Sequence, residues 1–479
     1  GNAANATTTN VNLLGRYLNY VYGGSNTSGT VTNSIIKVNK GEISNIYGGN
    51  NQGGTTLTST IYTYDGKITN LYGGGNLATS GTTNLNIEGS TITNMFGGGN
   101  KAEVTTSNLN ITNGKITNAY GAGNEAGATT TNINASKGTI TNLYGGANQS
   151  GSVTNSYINT NPTITSSSGL SSSVTAETSS AQYISSIYKY IVKLTMTITN
   201  SSSSSVSAWD AYVYVPDSKL YSNYSTSVVN ASSGYYAIDE TNPYYKTNTI
   251  GAHSSYTFTF SIFTNVDISK SSIENGMTTT GGLFINSAFG GNNQGGLTST
   301  SHLNINSGVI SNLYGGGNKA SVDNTNIDIK NGTIGTVYGG GNEASITDST
   351  NVNMTGGYII ANFFGGGNAG EVMGNTNNYV MAGLVKGSLY AGGNGATATV
   401  YGNTNIYVGG SSTIGYTGGS IPTTGSVFGG GNAASTGVNT ANNSKATVMV
   451  TGGTIHGNVY GGANTAAVYG TTEVKVGSD

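Results

Sequence analysis

The sequence predicts an all-β protein: a right-handed parallel β-solenoid of about 13 turns of roughly 24 residues, with an inserted antiparallel β-sandwich. Three observations predict this fold. A glycine-rich motif recurs through the chain, apolar and polar residues alternate between its copies, and a central stretch does not repeat. A unit this short cannot bury its own apolar face, but stacked copies can. The right-handed sense is expected because parallel connections strongly prefer it.

The recurring motif is an aromatic residue, three small residues that are mostly Gly, and an Asn. The aromatic residues are predicted to form a stack: Tyr22, Tyr47, Tyr72, Phe96, Tyr120, Tyr144, Phe289, Tyr314, Tyr338, Phe364, Tyr390, Phe428 and Tyr460. The Asn residues four positions later are predicted to form a structural amide ladder along one corner: Asn26, Asn51, Asn76, Asn100, Asn124, Asn148, Asn293, Asn318, Asn342, Asn368, Asn394, Asn432 and Asn464. Gly and Asn are expected at these corners because they reach positive φ at the least cost.

The side on which the aromatic residues lie stays open at this stage. Counting by twos from the apolar residue four positions earlier, such as Ile68, places the ring inside. The residue directly before the ring, such as Leu71 or Met95, is also apolar and competes for that place. If the rings point outward, their stack would be an exposed stripe of the kind that marks a binding face.

Two short strands are predicted in each turn. The first reads T-N-L-N-I in its clearest copy, Thr83 to Ile87, where Leu85 and Ile87 alternate with Asn. A period of two indicates a strand with one buried face. A Gly follows in most copies, and then a second strand, I-T-N-L-Y, leads into the glycine-rich corner.

The predicted domains are residues 1–161 (solenoid), 162–281 (inserted β-sandwich) and 282–479 (solenoid). The insert splits one turn, because residues 157–161 match a first strand and residues 283–289 match a second strand. Since it begins and ends at a corner, the insert is expected to be dispensable for folding of the rod. Alternating runs bounded by turn residues predict an antiparallel β-sandwich in the insert.

Two resemblances follow from these motifs. In the insert, Leu194 to Asn200, Ala211 to Pro216 and Gly251 to Phe263 resemble the strands of immunoglobulin-like modules in bacterial surface proteins. The repeats resemble glycine-rich, YGGGN-repeat β-helical bacterial surface and appendage proteins. They are less similar to polymorphic outer-membrane proteins, whose GGAI and FxxN spacings are not kept. The resemblance implies an adhesin, coat or appendage, and with it a mature secreted form at the cell surface or outside the cell.

Composition excludes several partners. Charged residues make up 8% of the chain and the net charge is −2, against about 25% charged residues in ordinary soluble domains. Arg16 is the only Arg and no basic cluster occurs, so no nucleic-acid partner is expected. No apolar run approaches the roughly 18 residues of a membrane span. The absence of Cys excludes a disulfide scaffold.

No catalytic, cofactor-binding or metal-binding residues are predicted. Lys101 and Lys319 directly follow corner Asn residues, and Glu125 and Glu343 do so in other turns. Alternating charge at one position indicates a solvated corner rather than a stacked cation site, which needs several aligned acids.

Two further groups of residues have side chains that could bind a metal ion or form a crosslink. The three His residues are far apart in sequence and are interpreted as tolerated substitutions rather than ligands: His253, His302 and His456. Lys189 or Lys193 with Asn265 could form an isopeptide crosslink in the insert, although no partnering acid can be assigned. The structural interpretation is favoured for both groups.

The predicted function is therefore structural and not enzymatic: a subunit of a self-assembling extracellular filament, appendage or coat. Copies are expected to stack head to tail through open solenoid ends, with Val11 and Leu13 at one end and Val474 and Val476 at the other. The alternative is a monomeric surface adhesin that binds glycan or a host protein. The least favoured hypothesis is that the chain is a polysaccharide-active β-helix enzyme.

Overall fold

The computed structural model describes residues 1–160, 170–178, 190–205, 211–214, 218–223, 228–232, 235–238, 249–264, 278–280, 283–415, 425–439 and 444–477. Contacts divide the chain into two compact units. The described residues of the first unit lie within 1–162, 283–415 and 424–479, and those of the second lie within 163–282.

All regular structure in these ranges is β. Before the insert the strands are β1 (Ala6–Tyr22), β2 (Thr30–Tyr47), β3 (Thr55–Thr63), β4 (Lys67–Tyr72), β5 (Ser80–Ile87), β6 (Thr91–Phe96), β7 (Val104–Ile111), β8 (Lys115–Tyr120), β9 (Ala128–Ala135), β10 (Gly138–Tyr144) and β11 (Val153–Thr160). In the second unit they are β12 (Leu170–Thr178), β13 (Tyr190–Asn200), β14 (Ala211–Tyr214), β15 (Ser218–Asn223), β16 (Val228–Ser232), β17 (Tyr235–Ile238), β18 (Ser254–Thr264) and β19 (Thr278–Thr280).

The solenoid resumes after the insert. Its strands there are β20 (Leu283–Phe289), β21 (Thr298–Ile305), β22 (Val309–Tyr314), β23 (Val322–Ile329), β24 (Thr333–Tyr338), β25 (Thr350–Ile359), β26 (Phe363–Phe364), β27 (Thr376–Val385), β28 (Leu389–Tyr390), β29 (Thr404–Val408), β30 (Thr413–Ile414), β31 (Val427–Phe428), β32 (Ser444–Val450), β33 (Thr454–Ile455), β34 (Val459–Tyr460) and β35 (Gly470–Val476).

Each solenoid strand pairs in parallel with the equivalent strand of the next turn. First strands follow the order β1, β2, β3, β5, β7, β9, β11, β21, β23, β25, β27, β29, β32, β35. Second strands form a parallel ladder of their own from β1 through β10 and β20 to β34. The predicted parallel β-solenoid is confirmed.

The solenoid has about 15 turns, so the predicted 13 is slightly low. Counting aromatic motifs misses strands that lie beyond the last motif, of which β35 is one. The right-handed sense stays a prediction.

The core follows from the alternation within strands. Leu85 and Ile87 of β5, and Ile92 and Met95 of β6, are fully buried, and their equivalents continue through one apolar cluster along the rod. Burying a side chain of this size stabilises a fold by about 1.5–3 kcal/mol. Each inward residue packs on the equivalent residues of the turns above and below, so the core is formed between turns and not within any single turn.

The corner glycines have a different role from the one predicted. None of the Gly or Asn residues in the thirteen motifs has positive φ. Positive φ occurs instead outside the motifs: in the turn between first and second strands, as at Gly66, Gly114 and Gly332, and between the motif and the next first strand, as at Gly54 and Gly296. At the corner the successive backbones approach closely, so a Cβ on Gly340 would lie 2.8 Å from the backbone nitrogen of Gly367. The prediction of positive φ at the corner is wrong, and Gly is needed there for space.

The second unit contains two four-stranded antiparallel sheets. Their strand orders are β12–β13–β18–β15 and β16–β17–β14–β19. The predicted alternation is seen in β13, where Val192, Leu194, Met196 and Ile198 are buried. The predicted antiparallel β structure is present, while the immunoglobulin-like assignment stays a prediction.

Candidate functional site

The thirteen aromatic residues form one continuous stack, named here the aromatic ladder. Successive ring centroids from Tyr22 to Tyr460 lie 4.6 to 5.2 Å apart, with planes inclined by 3° to 13°. The rings between these two residues are buried in a cluster separate from the main core, which takes the preceding residues such as Leu71 and Met95. The hypothesis of an exposed aromatic stripe is therefore wrong.

Burial also sets the protonation of the ladder. Burial, with a smaller contribution from the charge of Glu125, raises the pKa of Tyr72 to about 12. Burial likewise raises the pKa of Tyr47, Tyr144 and Tyr314 well above the ordinary phenol value. These phenols stay neutral over the range in which most proteins are stable, because ionising one would place a charge inside the stack.

The thirteen motif Asn residues form a second axial structure, named here the corner ladder. Each side chain donates from Nδ2 to Oδ1 of the Asn one turn earlier at 2.8 to 3.1 Å, from Asn26 to Asn464, and the first acceptor is Asn2. All bonds run in the same direction. This is the amide ladder that the repeat spacing predicts, and it crosses the insertion point between Asn148 and Asn293.

Further amide ladders lie on the strands and were missed by the sequence reasoning. Second strands carry one through Asn45, Asn70, Asn94, Asn118 and Asn142. The solvent-facing side of the first strands, named here the first-strand face, carries two. The signal was present in the sequence: the Asn residues of T-N-L-N-I and I-T-N-L-Y recur at the same interval as the motif Asn.

The two columns on the first-strand face are defined by strand register. The Asn84 column continues through Asn108, Asn132, Tyr157, His302, Asn326, Asn351, Asn377 and Asn405. The Asn86 column continues through Asn110, Asn134, Asn159, Asn304, Asp328, Asn353, Tyr379 and Tyr407. Side-chain hydrogen bonds of 2.8 to 3.3 Å join most neighbouring amides in both columns.

The charged residues beside the corner ladder pair between turns. Nζ of Lys101 lies 3.3 Å from a carboxylate oxygen of Glu125, and Nζ of Lys319 lies 4.0 Å from that of Glu343. Both pairs are well exposed to solvent. Exposed ion pairs contribute about 0–1 kcal/mol, so these residues belong to a solvated corner.

The His residues form no cluster among the described residues, where no group of three or more His, Asp or Glu is placed to hold a metal ion. His302 stacks on Tyr157 with centroids 4.7 Å apart. Burial lowers the pKa of His302, and the charge of Asp328 opposes that shift. The proposed isopeptide partners Lys189 and Asn265 lie outside the described residues, so that crosslink stays a prediction.

The residues predicted for assembly lie on the two outermost first strands. Val11 and Leu13 of β1 are partly buried against the core, while Val474 and Val476 of β35 are 43% and 75% exposed. Among the described residues, β1 pairs only with β2, and β35 pairs only with β32. Each strand therefore has one unpaired edge in this structure.

The described part of the chain contains no helix long and apolar enough to cross a membrane. Comparison with known protein families found no matching family model. Comparison with curated proteins found no matching relative.

Proposed function

We propose that this chain is a structural subunit of an extracellular filament, appendage or coat, in which copies stack head to tail through first strands. The proposal is supported by the way the rod is built. The core, the aromatic ladder and the corner ladder all run along the axis, so each turn is stabilised by contact with equivalent turns. A further turn of the same kind finds matching partners wherever a strand edge is free.

The observation that carries the proposal is the match between the two outermost first strands. If β1 of one copy pairs with β35 of another in the register of the other turns, Val11 lies on Val474 and Leu13 on Val476. Both inward columns then continue from one copy to the next. Burying two valines that are 43% and 75% exposed supplies an apolar driving force at that contact.

The corner ladder supports the same arrangement. Asn26 donates to Oδ1 of Asn2, and Asn464 donates to Oδ1 of Asn432. Nδ2 of Asn2 and Oδ1 of Asn464 are thus the matching donor and acceptor for one more ladder bond. A contact between two different surfaces does not close on itself, so its product is a filament rather than a ring.

The test compares particle mass and shape for three proteins. The chain itself should give filaments in negative-stain electron microscopy and a mass in light scattering that grows with concentration. Val476→Lys, which places a charge on the edge, should shorten or abolish the filaments. Leu57→Lys is the matched control, because Leu57 is 48% exposed but lies on β3, which is paired on both sides, with β2 and with β5.

If the unmodified protein stays a single copy at high concentration, filament formation is wrong and the monomeric adhesin becomes the better function. Protease treatment of intact producing cells tests the extracellular location separately, because a surface subunit is digested without cell lysis.

A further inference from the structure

The first-strand face is a long surface with unusually regular register. Nine first strands, β5, β7, β9, β11, β21, β23, β25, β27 and β29, stack in parallel, with the Asn84 and Asn86 columns in unbroken register across all of them. Nine strands about 4.8 Å apart, each with two or three outward residues about 6.6 Å apart, make a face of about 600–850 Å². A standard protein interface buries about 800 Å² on each partner.

Charge is sparse on these nine strands, where Asp323 of β23 lies beside the two columns. The other charged residues of the first-strand face lie on strands outside the nine: Lys37, Lys445, Glu473 and Lys475. Across the two columns of these nine strands Asp328 is the only acidic or basic residue apart from His302. The outward side of the second strands differs, because one column there carries Glu42, Lys67 and Lys115. Uncharged surfaces of two copies can approach without like-charge repulsion, whereas two lysine-bearing surfaces cannot.

The side chains of the first-strand face are ordered before any partner binds. Ladder bonds such as Asn110 to Asn86, at 3.1 Å, fix the amide orientation from turn to turn. Each amide in a ladder uses one proton and one acceptor site, so a second N–H and further acceptor capacity remain for a partner. Preordered groups lose less conformational entropy on binding than free ones do.

Rings interrupt the amide columns at two places. Tyr157 stacks on His302 and Tyr379 stacks on Tyr407, each pair with centroids 4.7 Å apart. Tyr379 is 42% exposed, and Met381 beside it is 38% exposed. Aromatic and Met side chains are enriched at protein interfaces, and Tyr is among the residues that supply most of the binding energy there.

We propose that the first-strand face docks on the same face of a second copy, so that rods associate side by side. A second copy is the partner that fits, because it carries the same axial repeat, the same uncharged amides and the same rings. Paired sheets that bear identical Asn ladders pack in this way in cross-β assemblies. This lateral contact is independent of the head-to-tail contact, because it uses different residues and a different side of the rod.

The test uses Val476→Lys protein, in which head-to-tail growth is blocked. Light scattering should give the mass of two copies, falling to one copy on dilution. Adding Thr106→Lys and Thr130→Lys, outward residues of β7 and β9 on this face, should reduce the two-copy fraction at least tenfold. Thr91→Lys is the control: it adds a Lys to the second-strand column between Lys67 and Lys115 and should leave the pairing unchanged.

Several outcomes overturn the inference. A single-copy mass for Val476→Lys protein at its highest soluble concentration would overturn it, as would a two-copy particle that survives Thr106→Lys and Thr130→Lys. Circular dichroism of each variant confirms that the fold is intact. Failure here is separable from failure of the proposed function: filaments that stay single and unbundled contradict lateral docking alone, and two-copy particles without filaments contradict head-to-tail stacking alone.

Discussion

Two substitutions of opposite sense in the Asn86 column test whether the amide ladders stabilise the rod in a directional way. Asn110 donates from Nδ2 to Oδ1 of Asn86 at 3.1 Å and accepts from Asn134 at 3.3 Å. Asp328 in the same column accepts from Asn353 at 3.1 Å, but an ionised carboxylate has no proton to donate to the turn before. Asn110→Asp should therefore remove one ladder bond, and Asp328→Asn should add one.

The expected changes in the free energy of unfolding follow from the gain or loss of one half-buried hydrogen bond. Such a bond contributes about 0.5–1.5 kcal/mol net. Asn110→Asp also places a carboxylate oxygen against the carbonyl oxygen of Asn86, so its cost at pH 7 should be about 1–2 kcal/mol. Asp328→Asn should raise stability by about 0.5–1.5 kcal/mol, since its new amide can donate to Asn304.

Lowering the pH should distinguish the loss of a ladder hydrogen bond from the loss of the side chain itself. A protonated Asp at position 110 can donate to Asn86 and still accept from Asn134, as the native amide does. The folded state of Asn110→Asp therefore binds that proton more tightly than the unfolded state does. Its deficit relative to the unmodified protein should shrink as pH falls through the range in which the introduced carboxyl is protonated. Asn110→Ala, which cannot recover the bond, should keep its deficit.

The assay combines urea unfolding followed by circular dichroism with hydrogen exchange. Exchange is needed because a repeat array can open locally without unfolding as a whole. Protection should fall around β5 and β7 for Asn110→Asp, where the bond to Asn86 is lost, and rise around β21 and β23 for Asp328→Asn. If both substitutions change stability in the same direction, or if acid restores nothing to Asn110→Asp, the directional ladder is wrong.

Four further outcomes follow from the structure. Gly340→Ala should cost about 1–3 kcal/mol in urea unfolding, because its Cβ meets the backbone of the next turn; Gly462→Ala, with nothing within 4 Å, should cost far less. Arg16→Gly should increase exchange protection of β1, because Arg16 has φ 114° in a bulge and relief of such strain is worth about 1–3 kcal/mol. The raised pKa of Tyr72 implies stability that is full below pH 10 and lost as pH rises through about 12, measurable as phenolate absorbance that appears together with unfolding. Replacing residues 162–281 by a short Gly/Ser loop should leave the rod's circular dichroism and melting largely unchanged, because β10 pairs directly with β20 and β11 with β21; loss of the β signal would make the insert part of the core.

The repeat and its strands could be predicted because they depend on spacing. Leu85 and Ile87 alternate, and the same alternation at the same interval in other turns leaves parallel stacking as the way to bury them. The corner ladder could be predicted for the same reason, since one Asn at one offset in every turn is brought into register by that stacking. Predictions of this kind need only the period of the sequence, not the path of the backbone.

What could not be predicted depends on the backbone path through the corner. Ile68 and Leu71 are three residues apart, yet both are buried in the main core, so the chain bends between them and the following Tyr72 is buried in the aromatic ladder instead. Counting by twos cannot detect such a bend. The corner φ values were wrong for a related reason: Gly340 is required by the position of Gly367 on the next turn, a contact between residues that a local turn rule does not consider.

Asn50 and Asn292 show how the corner accommodates other residues. Each replaces a corner Gly and is fully buried. The Asn50 side chain accepts from the backbone nitrogen of Ser25 and the hydroxyl of Thr56, and it donates to two backbone carbonyls. Asn292 makes the equivalent four bonds. Asn is therefore accommodated at this corner because all four of its side-chain hydrogen bonds are formed. From the sequence repeat alone, Asn at this position looks only like a mismatch to the usual Gly.

These observations connect the fold with growth along its axis. The core, the aromatic ladder and the amide ladders join each turn mainly to the turns directly above and below it. The free energy of unfolding of such an array is approximately the sum of the stability of each turn and of the contacts between neighbouring turns. An insert can then enter between β11 and β20 without breaking a ladder, because Tyr144 still stacks on Phe289 and Asn293 still donates to Asn148. By the same logic, a turn supplied by another copy would meet the environment that an internal turn already has, and this is why assembly through first strands is the function that the architecture favours.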